Sequence, residues 1–312
     1  MEDRRTLLLD SASLYFRAFF GLPDSMRDKD GHQVNAVRGL LDFLARFITD
    51  YSPTHVACCW DDAWRPAWRV ELVPSYKAHR VVRADPAGGW VEEVPAELVG
   101  QVPWIRATLD ALGLPIVGAA DHEADDVIAT LATRSTWPVD VVTGDRDLFQ
   151  LVDDAAGVRV LYVGRGVAKH ERIDDAWLQA KYGITGAGYV DFAVLRGDPS
   201  DGLPGVKGIG EKTASSLIGR YGDLDGIVAN AAKLSPGVQR SLAAAMDYLG
   251  PAREVVGAVR TLDLPDVDLT LPSVPKDLDL FAALADELQL GGSADRIVAA
   301  MAAAGQRAGR ST

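Results

Sequence analysis

The sequence contains very little cysteine. Cys58 and Cys59 are the only two cysteines among 312 residues, and they are adjacent. Adjacent residues of a strand point to opposite faces, so a disulfide between them would be strained, and their spacing does not match a CxxC metal site. We therefore expect two buried thiols in a reducing compartment and exclude a disulfide-stabilised or zinc-stabilised scaffold.

Long apolar runs are also missing. No run approaches the roughly 18 residues that span a bilayer. Near the N-terminus only Leu7 to Leu9 are consecutively apolar before Asp10, which is too short for a signal peptide. We expect a cytoplasmic protein, and the length suggests about two domains or one large α/β unit.

The net charge is −12, from 32 basic and 44 acidic residues. A uniformly acidic surface repels nucleic acid, which argues against a protein that coats DNA non-specifically. An enzyme acting on nucleic acid stays compatible with this charge if its acids are gathered in one metal site and its bases elsewhere. The distribution of the acids therefore matters more than their number.

Apolar runs alternate with amphipathic segments in the first half of the chain. Short apolar runs predict strands at 6–10, 55–60, 114–117 and 139–142. Apolar residues spaced three and four apart, or bounded by turn residues, predict helices at 13–20, 33–50, 98–112 and 124–133. Strands that alternate with helices predict an α/β fold with a parallel, doubly wound sheet. Two segments break the pattern, a long connection at 63–97 and a glycine-rich stretch at 197–222.

Acidic residues follow the predicted strands. In an open parallel sheet, ligands bind beyond the carboxyl ends of the strands, so these acids are expected to meet at one edge. Nine acids are candidates for that edge: Asp10, Asp61, Glu123, Asp125, Asp126, Asp145, Asp147, Asp198 and Asp201. Such a cluster is costly without cations, and carboxylates with no His or Cys partner favour Mg²⁺ or Mn²⁺ over zinc. Two such ions, roughly 3.5 to 4 Å apart, can promote hydrolysis of a phosphodiester.

Each acid taken alone has a simpler explanation, because an acid at a strand end is often the N-cap of the next helix. Two sets argue against that explanation for the cluster as a whole. Glu123, Asp125 and Asp126 form one set, and Asp145 and Asp147 form the other. The spacing within each set lets its acids face a common point.

Three motifs are specific enough to indicate a family. They are Glu-Ala-Asp-Asp at 123–126, Thr-Gly-Asp-Arg-Asp-Leu at 143–148, and Gly-Asp-Pro-Ser-Asp-Gly-Leu-Pro-Gly-Val-Lys-Gly-Ile-Gly-Glu-Lys-Thr-Ala at 197–214. Together they resemble the flap endonuclease/5′ nuclease family, most strongly the bacterial 5′–3′ exonuclease domain of DNA polymerase I. The likeness runs from about Leu7 to about Leu290. It implies a PIN-like fold with a mostly parallel sheet, a helical arch and a helix–three-turn–helix region.

The activity implied by the resemblance is that of a 5′–3′ exonuclease and 5′-flap endonuclease in DNA replication and repair, including removal of RNA primers. Residues 1–184 would form the catalytic domain with the arch at 63–97, and residues 185–290 the DNA-binding helical region. Residues 291–312 would form a C-terminal helix with a frayed tail from Ala302. Asp10, Asp61, Glu123, Asp125 and Asp126 would belong to the first metal site or its surroundings, and Asp145, Asp147, Asp198 and Asp201 would complete the second.

The resemblance also places cations against these acids. Residues 75–80 resemble the base of the arch, where Lys77 and Arg80 would contact the scissile phosphate and Tyr76 would stack on the unpaired terminal base. Arg17 occupies another position that the family fills with Arg near that phosphate. Such cations recruit the phosphodiester and offset charge in the transition state.

Residues 205–214 resemble the helix–three-turn–helix, in which glycine amides and a monovalent cation such as K⁺ grip the phosphates of a duplex. The DNA-binding residues would be Gly205, Val206, Lys207, Gly208, Ile209, Gly210, Lys212 and Thr213. Glycines allow close approach of the backbone, and the helix N-terminus after Gly210 favours an anion. Contacts to phosphates carry no sequence information, so recognition is expected to follow DNA shape.

One residue departs from the family pattern, since Gly202 stands where relatives usually have Asn. No polymerase or proofreading module follows in the printed sequence, so we expect a stand-alone, monomeric nuclease at the nucleoid that passes its nicked product to a separate polymerase and ligase. Two alternatives remain open. A PIN-type ribonuclease shares the acids but needs no glycine-rich duplex-binding segment, and a non-catalytic DNA-structure binder needs no complete set of acids.

Overall fold

The structure is a computed structural model that describes residues 4–85 and 90–308. Residues 1–3, residues 86–89 within the predicted arch, and residues 309–312 of the predicted tail lie outside the described residues. None of the helices in the described ranges is both long and apolar enough to cross a bilayer.

The centre of the fold is a six-stranded sheet. The strands along the chain are β1 (Thr6–Asp10), β2 (His55–Cys59), β3 (Val81–Ala84), β4 (Trp90–Glu92), β5 (Ile116–Val117), β6 (Val139–Thr143), β7 (Val158–Tyr162) and β8 (Glu171–Ile173). The sheet order is β5-β2-β1-β6-β7-β8, and its neighbours pair in parallel except β7 with β8. The predicted, mostly parallel sheet is confirmed.

Helices cover both faces of this sheet. They are α1 (Ser11–Gly21), α2 (Asn35–Tyr51), α3 (Ala67–Leu72), α4 (Ala96–Leu112), α5 (Ala124–Arg134), α6 (Asp175–Tyr182), α7 (Tyr189–Arg196), α8 (Glu211–Tyr221), α9 (Leu224–Ala229), α10 (Pro236–Ala244), α11 (Met246–Val256), α12 (Leu278–Glu287) and α13 (Gly292–Ala308). Leu7 and Leu9 of β1 join a core with α2, α4 and α13, whereas Leu8 joins a core with α5 and α7. Because strand side chains alternate between faces, one apolar run supplies both cores.

The segment 63–97 differs from the helical arch predicted for it. It contains the short helix α3, a 3₁₀ turn at 78–80, and β3 paired antiparallel with β4, before α4 begins at Ala96. The part beyond the 3₁₀ turn, which the prediction made helical, is thus a hairpin in its described residues. The β-branched residues Val81, Val82 and Val91 favour this extended backbone.

The C-terminal half begins with α7 and α8, which flank the glycine-rich stretch 197–210. The last two helices return to the first half of the chain, since α13 packs on α2 and α12 packs on α4. Ile297 and Met301 of α13 are fully buried there. Residues 302–308, predicted to fray, continue the helix, because an apolar stripe on α13 completes the core beside α2.

Candidate active site

A cleft of about 660 Å³ opens at the carboxyl edge of the sheet. Six of the nine predicted acids line it: Asp10, Asp61, Glu123, Asp125, Asp145 and Asp198. The cations Lys77, Arg80 and Arg196 line it as well. The edge therefore brings together residues that are up to 188 positions apart, from Asp10 to Asp198, as the order of parallel strands requires.

Asp10 and Asp61 come from the ends of the two adjacent strands β1 and β2. Asp10 caps α1 by accepting the Ser13 N–H at 3.1 Å, and it also accepts the Thr143 hydroxyl at 2.6 Å. Asp61 accepts the Ala124 N–H at 2.8 Å. Burial raises the pKa of Asp10 to about 6 and that of Asp61 to about 7. These acids therefore cap helices and also line the cleft.

The loop after β6 carries Asp145 and Asp147. Asp145 accepts the Asp147 N–H at 2.9 Å, which fixes the turn between them. Asp147 is buried, and its Oδ1 has no hydrogen-bond partner among the described residues. Burial, together with the negative charge of Asp145, raises the pKa of Asp147 and of Asp125 well above the ordinary range of a carboxyl group. A cation is the group that would satisfy these oxygens.

The loop after α7 supplies the remaining acids. Asp198 accepts the Ser200 N–H at 2.9 Å and pairs with Arg196 at 3.1 Å. Asp201 is buried, which raises its pKa to about 6, and it lies 3.3 Å from the Arg80 guanidinium. This loop therefore faces both the acids of the sheet edge and the base of the arch segment.

The donor set fits a hard divalent ion, because the acids that line the cleft offer only carboxylate oxygens. Within residues 4–85 and 90–308, no three His, Cys, Asp or Glu side chains already converge as a complete ligand set.

Lys77 and Arg80 line the cleft in direct contact with its acids or with the loop that carries them. The Lys77 ammonium pairs with Glu123, and the Lys77 backbone N–H donates to the Asp201 carbonyl at 2.9 Å. The Arg80 guanidinium donates to the Ser200 carbonyl at 2.9 Å. Both cations are thereby held over the cleft by neighbouring elements, in the place where a phosphate would meet the acids.

Asp126 is not part of the cleft. Successive residues of a helix point about 100° apart, so Asp125 faces the cleft while Asp126 faces α3. Arg69 holds both Asp126 oxygens, at 2.7 and 2.9 Å, and the Val259 N–H donates to one of them at 2.8 Å. Burial alone would raise the pKa of Asp126, but Arg69 and these hydrogen bonds outweigh it and lower the pKa. Its role is structural.

Tyr76 is also placed differently from the expectation. It is 4% exposed, and its hydroxyl donates to Glu123 at 2.7 Å. Burial raises the pKa of Tyr76 well above its ordinary value. A ring enclosed in this way cannot stack on a DNA base, so Tyr76 orients Glu123 instead.

Arg17 lies beside the loop after β6. A Cβ added to Gly144 would come 3.0 Å from Arg17 Nη2, and Arg17 Nε is buried without a partner among the described residues. Arg17 is therefore close to Asp145, next in the chain to Gly144, although it does not line the cleft.

Arg69 and Glu92 are site residues that the sequence did not reveal. Arg69 is 2% exposed, donates to Glu123 at 2.6 Å and to the Val255 carbonyl at 3.0 Å, and so ties α3 to α5 and α11. In the sequence, the signal for Arg69 is a basic residue between the apolar residues Trp68 and Val70. Glu92 of β4 lines the cleft, and only the hairpin brings it there.

The glycine-rich segment presents bare backbone next to this site. Val206 and Ile209 are buried anchors, whereas Gly208 and Gly210 have open space around them. Gly208 has φ +79°, which a residue with a side chain rarely adopts. Gly210 is the N-cap residue of α8 and, as a glycine, makes no side-chain hydrogen bond to the first turn. Exposed amides at a helix N-terminus suit a phosphate.

Comparisons with known proteins place the chain in a family. Residues 5–183 match the model of the 5′-3′ exonuclease N-terminal resolvase-like domain, and residues 184–276 match that of the 5′-3′ exonuclease C-terminal SAM fold. The chain is 56% identical to a 5′-3′ exonuclease of Streptomyces coelicolor, over 95% of this chain and 100% of that protein. It is 39% identical to DNA polymerase I of Mycobacterium bovis, over 97% of this chain and 33% of that protein.

Solved structures share the fold at low sequence identity. The bacteriophage T5 D15 protein aligns with TM-score 0.65 at 16% identity, covering 96% of this chain and 99% of that one. The catalytic core of Rad2 aligns with TM-score 0.55 at 17% identity, covering 96% and 93%.

The fold and the acid-lined cleft define a phosphodiester-cleaving nuclease with a SAM-type helical region. The chain belongs to the 5′–3′ exonuclease family. The predicted family, fold class and enzyme class are confirmed.

Proposed function

We propose that the chain cleaves DNA at 5′ ends and 5′ flaps, as a divalent-metal-dependent exonuclease and flap endonuclease that serves primer removal and repair. The cleft carries this proposal, because it is lined by carboxylates together with Lys77 and Arg80, which pair with Glu123 and Asp201. Two relatives named 5′-3′ exonuclease, at 56% and 47% identity, support the reaction class.

Two Mg²⁺ or Mn²⁺ ions are the proposed cofactors. Asp10, Asp61, Glu123 and Asp125 would hold the first ion, and Asp145, Asp147, Asp198 and Asp201 the second. Ions so placed would activate a water and stabilise the leaving oxygen. The T5 proteins, one described as co-crystallised with metal ions and one as binding zinc, support a divalent-metal site in this fold.

The chain's own side chains then bind and orient the substrate. Lys77 and Arg80 would contact the scissile phosphate and offset the charge that develops on it. Tyr76 and Arg69 hold the Glu123 carboxylate in one orientation through hydrogen bonds of 2.7 and 2.6 Å. Arg17 is the proposed third cation near that phosphate.

Residues 205–214 are the proposed grip on duplex DNA, with a K⁺ ion held by backbone carbonyls of this segment. The Rad2 core, which is described in complex with a DNA substrate, supports a duplex partner. We further propose a monomer that acts in the cytoplasm at the nucleoid and passes nicked DNA, including products of RNA–DNA hybrid cleavage, to a separate polymerase and ligase.

A digestion assay tests the proposal. Labelled 5′-flap, nicked, single-stranded and RNA-primed substrates are incubated with Mg²⁺, with Mn²⁺ or with a chelator, and the product lengths are read. We expect cleavage near the flap junction and at 5′ ends, dependent on the divalent ion. Cleavage of single-stranded RNA alone would favour a PIN-type ribonuclease, and binding without cleavage would favour a DNA-structure binder.

A further inference from the structure

A second cavity, of about 420 Å³, adjoins the catalytic cleft between the end of β7 and α6. Arg146 and Tyr162 line both cavities, so the two are adjacent at the carboxyl edge of the sheet. None of the nine predicted acids lines this second cavity. We call it the side pocket, and its volume is in the range of ligand pockets, roughly 300 to 1,000 Å³.

The wall of the side pocket is aromatic. Phe149 packs edge-on against Tyr162 and Trp177, with ring centroids 5.2 and 5.9 Å apart, and both of these rings are half-buried. The Tyr162 ring folds over Gly164, where any Cβ would overlap it. A glycine at this position thus allows the ring to form part of the wall. Exposed aromatic faces are platforms on which a nucleobase stacks, whatever its identity.

The rim of the side pocket is positive. Arg146, Arg165 and Lys181 line it, and Glu171 is the one acid among its lining residues, 4.0 Å from Arg165. The Arg165 side chain is 77% exposed, and Lys181 is exposed too. In a chain of net charge −12, such a local excess of cations beside the cleft favours an anion.

We propose that the side pocket binds one unpaired nucleotide of the nucleic-acid substrate, with its base on Tyr162 and Trp177 and its phosphate at Arg165 and Lys181. This inference rests on the proposed function, because the nucleotide belongs to the strand held in the adjoining cleft. Arg146 links the two cavities, since it lies between Asp145 and Asp147 in the chain and its Nε donates to the Tyr162 hydroxyl at 3.3 Å.

Binding of single strands in Ca²⁺, without cleavage, tests the side pocket. Two labelled probes of about twelve nucleotides are used, oligothymidylate and the same backbone with abasic sites. We expect wild type to prefer oligothymidylate by at least about fivefold, as stacking requires. Tyr162→Ala should lower this ratio, because only Trp177 then remains to stack on the base, and it should leave affinity for the abasic probe unchanged, whereas Tyr162→Phe should keep the full preference.

Charge variants test the phosphate contact independently. Lys181→Ala should weaken binding of both probes and lower the slope of log K against log salt by about 0.7, the contribution of one phosphate on a single strand. Lys169→Ala is the matched control, because Lys169 is an exposed cation in the neighbouring β7–β8 connection that does not line the pocket. It should leave the slope unchanged.

The same preparations are assayed for cleavage of a 5′ flap with Mn²⁺, and thermal unfolding confirms that each variant folds. A wild-type enzyme that cleaves flaps but shows no base preference overturns the side pocket alone. So does a preference that Tyr162→Ala leaves undiminished, or equal behaviour of Lys181→Ala and Lys169→Ala. A folded wild-type enzyme that cleaves no substrate overturns the proposed function. The base preference is measured without cleavage, so it still tests the side pocket. If Tyr162→Ala does not fold, the two lysine variants decide.

Discussion

Two pairs of cations in this protein are held in opposite ways. We call Lys77 and Arg80 the enclosed cations because each pairs with an acid: the Lys77 side chain is 11% exposed beside Glu123, and the Arg80 side chain is 35% exposed beside Asp201. Lys207 and Lys212 are exposed, and neither forms an ion pair with another described residue. Cations fixed beforehand stabilise a transition state, whereas solvated cations add affinity that salt screens. The comparison therefore assigns the chemical step and the grip on DNA to separate regions.

The largest effect is expected at the acids that face the enclosed cations. Asp145→Asn or Asp147→Asn should reduce cleavage at least about a hundredfold, because loss of a metal ligand removes several kcal/mol of transition-state stabilisation. Flap binding in Ca²⁺ should stay nearly intact, since the proposed grip on the duplex is at 205–214. Single-turnover rates and fluorescence anisotropy measure the two quantities.

Asp121→Asn is the matched control for these two variants, because Asp121 is exposed and does not line the cleft. It makes the same change of charge and should cleave like wild type. Near wild-type turnover in Asp145→Asn or Asp147→Asn would refute the assignment of these acids.

The next effect concerns the enclosed cations themselves. Lys77→Ala and Arg80→Ala should each slow the single-turnover rate at least about tenfold, because each removes charge aimed at the scissile phosphate. Affinity for plain duplex should change much less. Arg83→Ala is the control, since Arg83 is an exposed cation of β3 in the same hairpin. Unchanged single-turnover rates for both Lys77→Ala and Arg80→Ala would mean that these two cations do not contact the scissile phosphate.

A smaller effect is expected at Gly202, which lies in the chain between the acids of the 198–201 loop and the segment 205–214. Gly202 has φ +72°, and a Cβ there would overlap the Ser75 carbonyl oxygen at the arch base. Gly202→Asn, which restores the residue expected from the family, should therefore separate the arch base from the 198–201 loop. We expect cleavage to fall about tenfold, since small misplacements of catalytic groups are costly. Duplex binding should be unaffected.

Gly31→Asn is the control for backbone conformation, because Gly31 has φ +89° but open space around it. It should leave cleavage unchanged. This control separates the effect of steric overlap with Ser75 from the effect of a side chain at a positive φ. A Gly202→Asn enzyme as active as wild type would show that the close approach to Ser75 is not needed.

The sequence predicts the strands and the sheet edge at which their acids meet. It predicts less well which way an individual side chain points. Asp10 and Asp61 follow runs whose apolar residues identify them as strands, and parallel order then brings them to one edge. Asp125 and Asp126 look alike in sequence, but partners far away in the chain, Arg69 and Val259, hold Asp126 away from the cleft that Asp125 lines. Tyr76 is similar, because its burial depends on the packing of α3 and α5 rather than on its neighbours in the chain.

The smallest effect is expected at the exposed cations. If residues 205–214 grip the duplex through backbone amides and a few cations, few phosphates are neutralised, and the slope of log K against log salt should be only about three to five. Lys207→Ala and Lys212→Ala should each lower it by about one and weaken binding equally for unrelated sequences, while single-turnover rates at saturating DNA stay constant.

Lys233→Ala, at an exposed cation outside the segment, is the control. A salt titration of anisotropy on two flaps of the same shape and different sequence measures this. A strong sequence preference, or an unchanged slope in both variants, would contradict a grip by shape, and a slowed chemical step would erase the distinction between enclosed and exposed cations.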